Sequence, residues 1–141
     1  MINIDVQAVG DWAERRGIAY AGYTDLAAKP QVVELVRDCV EKVNADLAAD
    51  PKLSGSQIHR FVILHKELDA DDGELTRTRK VRRGYIGEKY ATIVDALYSG
   101  VERCVVEAQV RFEDGRTGNV RAELGVHAAK TFAAACAKAA A

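Results

Sequence analysis

The sequence is short of most features that announce a chemistry. Its three cysteines, at 39, 104 and 136, are an odd number with no CxxC spacing. That argues against a disulfide framework or a structural zinc site and suits reduced thiols in an intracellular protein. Only two prolines occur, Pro30 and Pro51, one at the start of a helical pattern and one just past its end. No charge of one sign dominates: 20 basic against 21 acidic residues give a formal net charge of -1, whereas dedicated nucleic-acid-binding domains are clearly basic. No apolar run approaches the ~18 residues of a membrane span, and MINIDVQAVGDW lacks the basic and apolar regions of a signal peptide. G-x-x-x-x-G-K-[ST], G-x-G-x-x-G after a strand, and G-x-S-x-G are all missing, so the chain alone has no visible site for binding and splitting a nucleotide. What remains is 141 residues, 48% hydrophobic and 29% charged: one domain with a real core, expected in the cytoplasm.

Against that plain background stands Asp71–Arg83, DDGELTRTRKVRR. An acidic turn runs through Gly73 into a threonine-flanked loop that delivers Lys80 among Arg77, Arg79, Arg82 and Arg83. Five cations in seven residues cannot be buried unpaired, so the loop faces water or an anion. A helical pattern follows directly, and cations at a helix N-terminus oppose its macrodipole. A local rule broken without visible compensation marks a functional candidate. Thr76 and Thr78 flank the arginines and are placed to brace the loop through its backbone. The alternative is a solvated charge run.

The remaining pattern predicts an α+β fold, a small mixed sheet packed by about three helices with an additional C-terminal β-hairpin. Ile2–Asp5 reads as a short strand. Val6–Arg16 reads as a helix capped by Asp5, stopped by Gly17, with Val6, Val9 and Trp12 on one face. Tyr20–Ala28 reads as a loop with one helical turn. Pro30 opens the clearest helix, whose apolar stripe is Val33, Val36, Val40, Val43 and Leu47. Ile58–Leu68 holds FVIL, a buried strand. Val81–Tyr98 reads as one helix, with Ile86, Tyr90, Ile93 or Val94, and Leu97 on one face, ended by Ser99–Gly100. Alternation of Cys104, Val106, Ala108, Val110 and Phe112, then Val120, Ala122, Leu124 and Val126, predicts a hairpin with one buried face. The tail AAACAKAAA is low-complexity, frayed or helical.

Other chemistry-bearing residues have plainer readings. His59 and His65 share parity on a strand but lack a third ligand, so satisfied or surface histidines are expected, with no metal site. Glu67, Asp69, Asp71 and Asp72 lack the ligand order of a calcium loop and are expected to solvate the turn and balance the arginines. Trp12 and Cys39 are expected in the core. A small nucleic-acid-binding module using Arg77–Arg83 is an alternative, disfavoured by the charge balance and by the lack of aromatics before Tyr85. An interaction domain pairing through an exposed hairpin edge is another.

RFVILHKELDADDGELTRTRKVRRGYIGEKYATIVDALYSG closely resembles the C-terminal end of long-chain acyl-CoA synthetases, within the adenylate-forming (AMP-binding) superfamily. The pattern carried is an apolar strand, an acidic turn, GELT-x-T-x-K-x-x-R, then a helix with an EKY-like motif and a terminal LY. Gly73, Glu74, Leu75, Thr76, Thr78, Lys80 and Arg83 match; Arg77 stands where the family often has proline. The resemblance covers residues 1–100, an N-terminally truncated lid domain; 101–127 is a hairpin extension and 128–141 an Ala-rich tail. It implies a two-step reaction: a fatty acid carboxylate attacks the α-phosphate of ATP, then coenzyme A displaces AMP. Lys80 is the implied adenylation lysine, with Glu74, Thr76, Arg77, Thr78, Arg79 and Arg83 as loop support and phosphate-contact candidates. ATP, Mg2+ and coenzyme A are implied for the full-length enzyme, none bound by this chain alone. Its implied partner is the N-terminal adenylation domain of the same enzyme, with no nucleic acid, and the chain alone is expected to be inactive.

Overall fold

The computed structural model describes residues 1–111 and 117–134. The α+β class holds, with five α-helices among the described residues where about three were expected: α1 Val6–Glu14, α2 Tyr23–Ala28, α3 Pro30–Ala49, α4 Arg83–Lys89 and α5 Ala91–Ser99. Four strands accompany them, β1 Arg60–Phe61, β2 Arg103–Arg111, β3 Thr117–Gly125 and β4 His127–Ala128. Asp5 caps α1 by accepting a hydrogen bond from the Ala8 amide at 2.9 Å. The residues α1 buries are Gly10 and Ala13, while Val6, Val9 and Trp12 are half-buried. Gly10 lies so close to Tyr20 that an added Cβ would stand 2.4 Å from the phenol oxygen. Close approach through small residues, with large ones at the rim, rotates the face from the one its hydrophobic spacing suggests.

The segment after β1 organises the molecule. Phe61 and Ile63 face one core with Ile4, Ala13, Leu26, Val32 and Val40. Val62 and Leu64 face the other, with Ile86, Tyr90, Ile93, Cys104 and Leu124. An extended chain buried on both sides explains a continuous apolar run where a half-exposed strand would alternate. Regular pairing is shorter than the FVIL reading: β1 pairs antiparallel with β4, and Ile63 forms one parallel bridge with Ile2. The Ile2 amide donates to the Val62 carbonyl, and the Leu64 amide to the Ile2 carbonyl, both at 2.8 Å. The expected strand Ile2–Asp5 thus shrinks to a single bridge, because Asp5 is already occupied in capping α1.

Three further expectations change. On α3 the buried face is Val32, Val40, Asn44 and Ala48, while Val43 is 47% exposed. Asn44 sets that phase: it accepts from the Ile58 amide at 2.7 Å and donates to the Ile58 and Lys130 carbonyls at 2.8 and 2.9 Å. Cys39 consequently points outward and is exposed, not core; Cys136 lies outside the described residues. The helix expected over 81–98 breaks at Tyr90, whose φ of -108° and ψ of 28° separate α4 from α5. Gly100 ends α5 in the left-handed region at φ 81°.

The hairpin register follows the alternation, with Cys104 opposite Leu124, Val106 opposite Ala122 and Ala108 opposite Val120. Its base, Cys104, Leu124 and Val126, joins the core of Val62 and Ile93. Phe112 and the turn lie outside the described residues, as does the tail from 135. Residues just after β4 are tied back along the body: the Ala129 amide donates to the His59 carbonyl at 2.9 Å, and Gln57 clasps the Phe132 amide and carbonyl at 2.7 and 2.8 Å. No helix among the described residues is long and apolar enough to cross a membrane.

Candidate functional site

The stretch from Glu74 to Arg82 is a miniature hairpin hung between the acidic turn and α4. Leu75 and Val81 form an antiparallel bridge, the Thr76 amide donates to the Lys80 carbonyl at 2.8 Å, and the Arg82 amide to the Glu74 carbonyl at 2.9 Å. At its tip the Arg79 amide donates to the Thr76 carbonyl at 2.9 Å, and Arg79 takes a left-handed φ of 58°. Thr76 Oγ1 accepts the Lys80 amide at 3.0 Å and lies 3.1 Å from Thr78 Oγ1. The two threonines thus fold the tip onto itself and fix the backbone of Lys80.

Arg77, Arg79, Lys80 and Arg83 are all exposed, and their side chains have no hydrogen-bond or ion-pair partner among the described residues. Arg82 is spent differently. Its guanidinium donates to the Gly73 carbonyl at 3.0 Å and stacks 5.3 Å from the Tyr85 ring centre, closing the loop at its base. Three like charges on one short tip, with Arg83 just beyond at the start of α4, repel each other and gain no partner among the described residues. An anion brought to the tip relieves that repulsion.

Beneath the tip lies the opposite arrangement. Glu74 is fully buried, 0% exposed. Its Oε1 accepts from the Tyr90 hydroxyl at 2.6 Å and lies 2.9 Å from Lys89 Nζ. Its Oε2 accepts from the Asp69 amide at 2.9 Å and from Lys66 Nζ at 3.2 Å. Asp72 bridges the same two lysines. Burial alone would raise the Glu74 carboxyl; hydrogen bonds from Lys89, Tyr90, the Asp69 amide and Lys66 more than offset it and bring its pKa to about 2. The same burial, with the Glu74 charge, pushes the Tyr90 phenol up, so it stays a donor.

The sequence reading left Glu74 between loop support and phosphate contact; an inward carboxylate without exposed surface suits support. Asp72 balances Lys66 and Lys89 where arginines were expected, because those lysines reach its carboxylate, whereas Arg77, Arg79 and Arg83 are exposed and Arg82 is spent on the Gly73 carbonyl. Three members of the network, Lys66, Lys89 and Tyr90, were missed, although the EKY motif contains two of them. Their signal in the sequence was the EKY motif itself, Glu88–Tyr90.

The histidines divide. His59 is exposed; His65 is 8% exposed, and neither of its ring nitrogens has a hydrogen-bond partner among the described residues. It is therefore not the satisfied or surface residue expected. Burial, then the charge of Lys66, lowers its pKa, so it is neutral at pH 7. No group of three His, Cys, Asp or Glu among the described residues is arranged to hold a metal ion.

Sequence comparison gives this geometry its context. Over 100 residues, 70% of this chain, it is 32% identical to the long-chain-fatty-acid–CoA ligase FadD15 of Mycobacterium tuberculosis. This chain is homologous to long-chain fatty-acid–CoA ligases. The Drosophila melanogaster ligase heimdall is 27% identical over 100 residues, and the ACSBG1 ligase of Rattus norvegicus 29% over 98. The chain spans only 16% of the length of FadD15 and 13% of the other two. No protein-family model and no solved structure matches it. The likeness to these ligases thus covers 68–70% of the chain.

Proposed function

We propose that this chain is the C-terminal lid segment of an ATP-dependent, AMP-forming long-chain fatty acid–CoA ligase, and that Lys80 is its adenylation lysine. The observation that carries the reading is an exposed, unpartnered ammonium on a backbone fixed by Thr76 and Thr78. A fatty acid carboxylate and the α-phosphate of ATP are both anionic and repel. A cation presented between them stabilises the charge that develops as they join, commonly the largest catalytic contribution. Acyl-adenylate and pyrophosphate form first, and coenzyme A then displaces AMP.

The lid swings over a separate N-terminal adenylation domain, which holds ATP, magnesium, the acyl chain and coenzyme A. Arg77, Arg79 and Arg83 flank the lysine as phosphate contacts, and Glu74 supports the loop from below. Mg2+ is held outside this chain, and Asp72 and Glu74 near the loop are already paired with Lys66 and Lys89. Alone, the chain adenylates nothing. The enzyme works in the cytoplasm.

The test joins the 141-residue chain to FadD15 in place of that ligase's own matching segment. A folded chimera that releases pyrophosphate with fatty acid and ATP, and loses this on Lys80→Ala, supports the reading. A folded chimera without activity, or one indifferent to Lys80→Ala, contradicts it.

A further inference from the structure

We infer that Glu74 is the positioning residue of Lys80: its buried carboxylate, gripped by Tyr90, Lys89, Lys66 and the Asp69 amide, locks the base of the loop to the start of α5 and so fixes where the lysine is presented. The inference rests on the reading of Lys80 as the adenylation lysine.

The covalent distance is short and the wiring is direct. Glu74 and Arg82 close the miniature hairpin through the Arg82 amide and the Glu74 carbonyl at 2.9 Å. On the other side, Tyr90 is both the residue at which α4 ends and the donor that reaches Glu74 at 2.6 Å. Lys89, the last residue of α4, binds the same oxygen at 2.9 Å. Loop base and helix junction are therefore held by one carboxylate. The tip above it holds three cations, Arg77, Arg79 and Lys80, without a partner among the described residues, and their repulsion drives it open. Without an anchor that tip would sample many shapes, and a lysine a few ångströms out of place loses most of its effect.

Glutamine cannot replace this carboxylate, although it has the same size. All four contacts on the two oxygens are donors. An amide turns one end into a second donor group, which must then face Asp69 N–H and Lys66 or Tyr90 and Lys89. Aspartate keeps the charge but falls one methylene short.

The experiment has two arms. In the 141-residue chain, Glu74→Gln is expected to speed exchange of the Thr76, Lys80 and Arg82 amides about tenfold or more, with the Val40 amide in α3 unchanged. Tyr90→Phe gives a smaller change of the same sign. In the FadD15 chimera, Glu74→Gln is expected to lower the rate of pyrophosphate release about tenfold while the KM for ATP and thioester formation from supplied acyl-adenylate stay constant; Glu74→Asp restores part of the loss. Unchanged loop exchange overturns the inference, and so does an equal fall in both half-reactions, which a merely structural role would give. If Lys80→Ala is harmless while Glu74→Gln still frees the loop, the anchor stands and the lysine's role falls.

Discussion

A carboxyl group with no exposed surface normally takes up a proton to shed its charge. Glu74 does the reverse because four donors converge on it, and the sign of that shift has a consequence for stability. Its pKa falls from an ordinary 4.5 to about 2. Above 4.5 its contribution is fully present, and it is lost as pH falls toward 2. The span corresponds to roughly 3 kcal/mol. Urea unfolding followed from pH 6 down to pH 2 should show that loss, and Glu74→Gln should flatten it; an unchanged profile would mean the carboxylate is not held in this way. His65 acts higher on the scale. Burial and Lys66 depress its pKa, so the unfolded chain takes the proton first and stability drops as pH falls below 6.5. In His65→Leu that part of the decline should vanish, visible as a smaller drop in Tm between pH 7 and pH 5. The sequence displayed both residues but not their surroundings, because Lys66, Lys89 and Tyr90 meet Glu74 only after the chain turns back on itself.

Among the elements, α3 shows how one polar residue can overrule an apolar stripe. Spacing favoured a face with Val43 and Leu47; the fold instead turns Asn44 inward, where its amide closes on the segment before β1 and on the segment after β4. Asn44→Ala would leave the Ile58 amide and two carbonyls without partners, at a cost of about 2–4 kcal/mol in urea unfolding. A loss below about 0.5 kcal/mol would show that water replaces the clasp. Local chemistry was legible where it acts over a few residues: the Asp5 cap, the Gly100 stop and the alternation that gives Cys104 and Leu124 to the buried face all follow from short-range rules. The break at Tyr90 was not, since the helical period runs through 81–98 without interruption. What ends α4 there coincides with a tertiary hydrogen bond to a glutamate sixteen residues earlier.

For the whole molecule, the doubly buried segment 61–64 divides the interior into two cores and sets the loop's base next to α4 and α5. One side of that segment carries the helices α1 to α3; the other carries α4, α5 and the hairpin base. The basic tip stands clear of both cores, its charges facing outward and its single carboxylate anchor facing in. Homology ties this arrangement to long-chain fatty-acid–CoA ligases, of which it spans a sixth or less. The motif from Gly73 to Arg83 was readable at once because its cations had nowhere to be buried, whereas the inward turn of Glu74 needed coordinates.

The measurement that bears most directly on Lys80 is the ratio of half-reactions in the FadD15 chimera. With Lys80→Ala, pyrophosphate release should fall about 10²-fold or more, while conversion of supplied acyl-adenylate to thioester stays within about twofold. Pyrophosphate release at the rate of the unsubstituted chimera would contradict the account.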